Sequence, residues 1–263
     1  MSAGLNDRYE LGVQLIEEAA AVALDFNRRL DSLTIKSKGT QDVVSEADVE
    51  VERLIRERIA ERFPEDAFFG EESGLSEVKD ARYIWVVDPI DGTQPFLCDL
   101  SSWCVSIGLA CDGDLEMGLL AAPGRDEVFV GRRGHGATLN GKPIGVSSST
   151  SLDDGLLSIG MSPRIGPEQI LPMFEQLLKE GVVYYREGSG ALSLAYVAAG
   201  RLIGYIEAHL NSWDGAAGVA IVEAAGGRVN DWFSMDKLLT GAPIVAAPPG
   251  LYPKLEAVLP ADD

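Results

Sequence analysis

Along this chain, stretches with a helical apolar period are interrupted by short apolar runs that have none. Residues 7–30 place Val13, Ile16, Ala20 and Leu24 on one face, a spacing that predicts an amphipathic helix. Residues 35–44, IKSKGTQDVV, form a turn between extended flanks. Ser45-Glu46-Ala47-Asp48 has the pattern of a helix N-cap with acids in the first turn. The helix it opens carries Val51, Leu54, Ile55 and Ile59 and ends near Phe63-Pro64. AFFGEES (67–73) is a short apolar strand that ends in two glutamates, and YIWVVD (83–88) is a β-branched and aromatic run without alternation. Such a run predicts a strand buried on both faces. Residues 103–147 predict a meander, turned at Asp112-Gly113, Pro123-Gly124 and Asn140-Gly141. SSSTS (147–151) is a seam, beyond which strands and helices alternate. In order these are LLSIGM, a helix at 167–180, VVYYREG, a helix from about Ala191 to Ala199, LIGYIEA, and a helix near 214–225. The pattern predicts layered α/β (α+β) packing, with an N-terminal half at 1–148 and a C-terminal half at 149–263 working as one unit. It contains no internal repeat and no low-complexity segment.

Charge narrows the partners. The 263 residues carry 41 acids against 22 bases, a net charge of −19. That surface is expected to repel nucleic acid and anionic membrane, so neither is an expected partner. Cys98, Cys104 and Cys111 are odd in number and form no C-x-x-C pattern, as expected of free thiols in a reducing cytosol. The N-terminus lacks a basic region ahead of its apolar residues, and no stretch reaches membrane-spanning length. The expectation is a cytoplasmic protein.

The unusual feature is where the acids fall. Asp88 ends the run Tyr-Ile-Trp-Val-Val, Pro89 forces a turn, and Asp91 follows three residues later. Asp214 opens a helix of small residues in SWDGAAG (212–218), and Glu71 and Glu72 end the strand before. A buried carboxylate without a partner is costly, and it protonates or finds a cation. Several converging carboxylates suit a hard ion such as Mg²⁺. His135 and His209 are the only histidines, so a zinc or histidine-based mechanism has little to work with. A short helix starting at Gly92-Thr93 would aim free amides at the same place, a cradle for phosphate. There is no G-x-x-x-x-G-K-[ST] loop, and GRRGHGATLNG (131–141) is a glycine-rich hairpin with solvated arginines rather than a dinucleotide fingerprint. Hydrolysis of a phosphate ester is the chemistry these residues favour.

GEES (70–73), DPIDGT (88–93) and WDGAAG (213–218) closely resemble the three signatures of the inositol monophosphatase family, part of the Mg²⁺-dependent, Li⁺-sensitive phosphatase superfamily. KGTQDVVSEAD (38–48) and GHGATLNGKPIGVS (134–147) extend the likeness over nearly the whole chain. The resemblance implies a layered αβαβα sandwich, the type shared with fructose-1,6-bisphosphatase, whose two halves form one catalytic unit and which assembles as a homodimer. It implies two to three Mg²⁺ ions. Glu71, Asp88 and the Ile90 carbonyl would hold the first, Asp88, Asp91 and Asp214 the second, and a third would sit near Glu71. Thr93, paired with Asp48, would activate the attacking water, and the Gly92 and Thr93 amides would hold the phosphate. Lys38 and Glu72 would stand beside the metal cluster without touching the ions.

The resemblance leaves the ester open among inositol monophosphates, histidinol phosphate, fructose bisphosphate and 3′-phosphoadenosine nucleotides. Glu207, seven residues before Asp214, matches the position where inositol-handling members place an acid against a ring hydroxyl. Gly188-Ser189-Gly190-Ala191 matches a loop beside the sugar. The stretch from Gln94 to Trp103 departs from inositol phosphatases and leans toward histidinol-phosphate members. Inositol-1-phosphate is the favoured substrate and histidinol phosphate the alternative. A nucleotide bisphosphate is disfavoured, since no extra basic residue is evident near the site to hold a second phosphate. Some members of the family are regulatory proteins, so a protein-binding role is a further alternative.

Overall fold

The computed structural model describes residues 3–39, 42–76 and 81–259. The chain begins with α1 (Ala3–Asn27), a hairpin of β1 (Ile35–Gly39) and β2 (Asp42–Ser45), and α2 (Glu46–Arg62). Ser45 caps α2 as expected and forms a capping box with Asp48. Next come β3 (Ala67–Gly70), β4 (Gly74–Leu75), β5 (Tyr83–Asp91) and the five-residue α3 (Thr93–Leu97). The meander is β6 (Cys104–Cys111), β7 (Asp114–Ala122), β8 (Glu127–Arg132), β9 (Gly136–Leu139) and β10 (Lys142–Ile144). The remainder is β11 (Leu156–Ile159), α4 (Pro167–Lys179), β12 (Val183–Tyr185), α5 (Gly190–Ala198), β13 (Gly204–Leu210), α6 (Ser212–Ala224), β14 (Arg228–Val229), β15 (Ala242–Ala247) and α7 (Tyr252–Glu256).

Two sheets organise these elements, an eight-stranded one ordered β10-β9-β8-β7-β6-β5-β3-β4 and a five-stranded one ordered β12-β11-β13-β15-β14. Hydrophobic clusters show how they stack. Leu15, Ile16, Val51 and Ile55 of α1 and α2 pack on Trp85, Val87 and Leu119 on one face of the larger sheet. Ile84, Val86 and Leu120 on the other face meet α5 and α6, which also cover Tyr205, Ile244 and Ala246 of the smaller sheet. Met173 and Leu177 of α4 and Leu255 of α7 close its far side over Leu157, Ile206 and Val245. The order is helix, sheet, helix, sheet, helix, as the resemblance implied. β5 is buried along its whole length because both its faces are covered. β15, a run of small apolar residues inserted antiparallel beside β13, carries no periodic signature in the sequence.

One packing detail positions the site. Gly108, Gly118 and Gly131 lie opposite one another on β6, β7 and β8. A Cβ on Gly118 would sit 2.0 Å from the Ala217 carbonyl oxygen, and one on Gly131 would sit 2.5 Å from the Ile221 Cα. This groove of bare backbone lets α6 lie directly on the sheet and brings its first turn, with Asp214, toward the end of β5.

Candidate metal centre and active-site cleft

Asp88 and Asp91 are three residues apart, and in a regular strand they would point to opposite faces. β5 departs from that geometry between them. Against β6, Asp88 lies opposite Ser106 and Asp91 opposite Cys104, so three steps on one strand match two on the other. The extra residue is a β-bulge that turns both acids to one side. Carboxylate oxygens of Asp88, Asp91 and Asp214 all lie within 4.8 Å of one another.

Each of these acids is held by neutral donors. The Ile90 amide donates to Asp88 Oδ1 at 2.9 Å. Asp91 Oδ2 accepts from the Ser189 hydroxyl and, at 2.7 Å, from the Ala191 amide. Asn211 Nδ2 donates to Asp214 Oδ2 at 2.9 Å. Burial first, and repulsion from Glu71, Asp91 and Asp214 next, hold Asp88 well above the usual carboxylate range. Burial and the neighbouring Asp214 push Asp91 up to about 7, against the pull of its hydrogen bonds. Burial raises Asp214 as well, opposed by hydrogen bonds from Asp88 and Asn211. Three converging hard oxygen donors, in a site without cysteine or histidine ligands, fit a divalent ion of the Mg²⁺ type.

Asp48 and Thr93 meet beside this cluster. Asp48 is fully buried. Its Oδ2 is occupied by the Ser45 amide at 2.8 Å and the Ser45 hydroxyl at 2.6 Å. Its Oδ1 faces Thr93 Oγ1 at 3.4 Å, and the same hydroxyl lies 3.2 Å from the Ile90 carbonyl oxygen. Gly92 turns the chain into α3 with a φ of 92°. A Cβ there would lie 2.7 Å from the Ser102 carbonyl oxygen, so the position demands glycine on two counts.

The other expected residues are placed as follows. Glu71 follows β3, its amide bonded to the Val87 carbonyl at 3.2 Å. It lines the same cleft, outside the tight trio. The Glu72 amide donates to Glu52 Oε2 at 2.8 Å. Glu52 is a buried acid that the sequence reading missed, although positions 48, 51, 52, 55 and 59 share one stripe of α2. The Lys38 side chain lies outside the described residues. Glu207 lies inside β13 and is buried, where the Tyr205 hydroxyl donates to it. Ser189 caps α5, accepting from the Leu192 amide at 3.1 Å, and its proton is directed to Asp91 rather than outward. Gly188 and Ser189 still line the cleft, which has a volume of about 400 Å³. Arg164 and Arg186 line it too, which corrects the expectation that no basic residue stands near the site. They were missed because they are solvent-exposed arginines in separate loops. All three cysteines are free, as expected.

The family model described as the inositol monophosphatase family matches residues 6–260. The chain belongs to that family. It is 34% identical over 247 residues to a protein named Nus factor SuhB from Haemophilus influenzae, covering 93% of this chain and 92% of that one. It is 35% identical over 229 residues to an inositol-1-monophosphatase from Mesorhizobium japonicum, covering 86% and 85%. The structure of inositol monophosphatase from Anabaena superposes with a TM-score of 0.83 at 31% identity, over 97% of this chain and 96% of that one. Among the described residues no helix is long and apolar enough to cross a membrane.

Proposed function

We propose that the protein is a Mg²⁺-dependent phosphomonoesterase acting on small polyol or sugar phosphates, inositol-1-phosphate among them. The observation that carries this reading is the trio of buried Asp88 and Asp91 and half-buried Asp214 beside the Thr93–Asp48 pair. Asp88, Asp91 and Asp214, with Glu71 and the Ile90 carbonyl, would hold two to three Mg²⁺ ions. Bound Mg²⁺ supplies charge that offsets the carboxylates, acidifies the attacking water and stabilises the departing alkoxide. The chain's own groups do the rest. The Gly92 and Thr93 amides take the phosphate oxygens. Thr93 Oγ1 orients the water and passes its proton to Asp48 Oδ1, the carboxylate oxygen turned away from the Ser45 cap. Gly188, Ser189 and Glu207 flank the leaving group, and the two halves of the chain act as one catalytic unit.

Phosphate release from inositol-1-phosphate and from histidinol phosphate, with Mg²⁺ and with excess chelator, tests this. We expect turnover of inositol-1-phosphate that chelator abolishes. Full activity in chelator would sink the metal reading, and faster turnover of histidinol phosphate would transfer the assignment to that ester. The relatives named Nus factor favour a second reading, a binding role on the same fold. Complementation with an Asp88→Asn chain separates the two, because a binding role survives the loss of a metal ligand. Sedimentation of the purified chain tests the homodimer.

A further inference from the structure

A buried ion pair next to the cleft ties the two halves of the chain together. β6 and β7 run antiparallel, Val105 opposite Ala121, so the residues entering β6 lie beside those leaving β7. The turn Pro123–Arg125 follows β7, and a Cβ on Gly124 would lie 3.3 Å from the Ser101 Cβ. From this turn the Arg125 guanidinium serves two partners. Nε donates to the Ser101 carbonyl oxygen at 3.0 Å, and Nη2 donates to Glu187 Oε1. The Tyr196 ring of α5 stands 5.5 Å from the same guanidinium, within cation–π range.

Glu187 lies between β12 and α5 and borders the cleft, yet its side chain is 0% exposed. Its second oxygen, Oε2, accepts from the Tyr185 hydroxyl. A buried carboxylate engaged on both oxygens by the chain's own donors holds Arg125 in place and does not present itself to a ligand. The other arm of the guanidinium leads back to the cleft. The Leu100 amide donates to the Pro95 carbonyl at 3.0 Å, and the Cys98 amide to the Gln94 carbonyl at 3.1 Å. Gln94 and Pro95 line the cleft, and a Cβ on Gly188 would lie 3.1 Å from Pro95 Cγ. Residues 98–101 are exposed. Arg125 therefore holds the exposed stretch of the segment from Gln94 to Trp103, while Glu187 precedes Gly188, on which the start of that segment packs.

We propose that Arg125 and Glu187 are positioning residues, a clasp that fixes the cleft wall formed by Gln94, Pro95 and Gly188 and so sets which leaving groups fit. This rests on the phosphatase reading above. The clasp acts on the fit of the substrate and not on metal binding or water activation, which fall to Asp88, Asp91, Asp214, Thr93 and Asp48.

The test combines hydrogen exchange with turnover of inositol-1-phosphate and p-nitrophenyl phosphate at saturating Mg²⁺. Truncating one partner leaves the other buried and unpaired, which endangers the fold, so the main variant replaces both with apolar residues of similar size, Arg125→Met with Glu187→Leu. Amides of residues 98–103 should then exchange about tenfold faster or more, while those of α6 keep their wild-type rates. KM for inositol-1-phosphate should rise about tenfold, within the roughly hundredfold cost of a ~1 Å misplacement. Its kcat, the Mg²⁺ concentration for half activity and the turnover of p-nitrophenyl phosphate should stay at wild-type values. Arg125→Lys keeps the charge but loses the planar fork, and should fall between the wild type and the double variant. Wild-type exchange in residues 98–103, equal losses on both esters, or a raised Mg²⁺ requirement overturns the clasp and leaves the phosphatase standing. If the wild-type chain cleaves neither ester, the phosphatase reading falls and substrate sorting with it, while exchange in residues 98–103 still decides whether the pair holds the segment.

Discussion

The aspartates at the end of β5 and the arginines beyond β11 and β12 face the same cleft, yet they are held in opposite ways. Asp88 and Asp91 are 1% and 7% exposed, fixed by a bulge and by bonds from Ile90, Ser189 and Ala191. Arg164 and Arg186 are exposed, on loops, and make no ion pair among the described residues, although their charge reaches Asp214 and Glu207. The buried side cannot adapt. Its charges are unfavourable without a cation, and small errors in their placement would misplace it. The exposed side carries charge that water already satisfies and can adjust to whatever leaving group arrives. A metal centre needs the first arrangement and a substrate-sorting rim tolerates the second.

The largest way to break this contrast is Asp88→Asn. We expect kcat to fall about a thousandfold, since a metal's share of transition-state stabilisation is several kcal/mol. The Mg²⁺-dependent rise in Tm should disappear with it. The metal-free form should respond in the other direction. Asp88 and Asp91 titrate above their usual range when folded, so the folded chain binds more protons than the unfolded one through that window. Their contribution is therefore intact below the ordinary carboxylate pKa of about 4 and is lost as pH rises above it, that of Asp91 as pH passes about 7. An asparagine side chain cannot ionise, so calorimetry in chelator at neutral pH should find the variant more stable than the wild type. A less stable metal-free variant would show that the trio is not held against its own repulsion.

Thr93→Ala is the next largest. Thr93 touches Asp48 and the Ile90 carbonyl and belongs to neither acid of the β5 pair. We expect kcat to drop about a hundredfold, the lower range for a positioned proton path, with little change in KM and with Mg²⁺ stabilisation preserved. Thr93→Ser should recover most of the loss. A Thr93→Ala chain with normal kcat would remove Asp48 and Thr93 from the proton path.

The same contrast decides what was legible in the sequence. Asp88 and Asp91 could be found because two acids ending an apolar run defy burial, and the pattern lies within a few consecutive residues. Asp48 was visible as a cap residue. Glu52 was not, because an acid on a helix is ordinary until its stripe is known to face the core. The groove under α6 depends on Gly108, Gly118 and Gly131, whose spacing has no period and which align only once strand register is set. Arg164 and Arg186 are 22 positions apart and come together through the pairing of β11 with β12, which local pattern does not specify. Residues 242–247 escaped notice because a short run of Ala, Pro, Ile and Val does not distinguish a strand from a loop.

Ser189→Ala sharpens the comparison on the buried side. The hydroxyl donates to Asp91, which keeps the Ala191 amide as its other donor. Removing a bond that orients a metal ligand typically costs ten- to a hundredfold in metal affinity, about that range here. The Mg²⁺ concentration for half activity should rise by that order, while KM for the ester at saturating Mg²⁺ stays close to wild type. Ser189→Thr should behave normally. If KM moved and the Mg²⁺ requirement did not, Ser189 would belong to the substrate after all.

Glu207→Gln has the smallest expected effect and probes the border between the two regions. Glu207 is 6% exposed, accepts from the Tyr205 hydroxyl, and faces Gly160, where a Cβ would lie 2.0 Å from Oε2. Burial first, with Asp214 and Asp91 adding to it, pushes it up to about 8, against the Tyr205 bond and the charge of Arg186. At neutral pH the metal-free chain therefore holds it largely as the neutral acid, which Gln imitates in shape and charge. The fold should be untouched, whereas Glu207→Ala would leave the Tyr205 hydroxyl buried without its partner. What Gln cannot do is accept from a substrate hydroxyl through a charged oxygen once bound cations restore the carboxylate. A bond to a charged acceptor is worth about 1.5 kcal/mol at the low end, or about tenfold. We expect kcat/KM to fall by that factor for inositol-1-phosphate and to hold for p-nitrophenyl phosphate, whose leaving group has no hydroxyl to offer. Equal losses on both esters would make Glu207 a support for Tyr205 and leave substrate choice to the segment from Gln94 to Trp103.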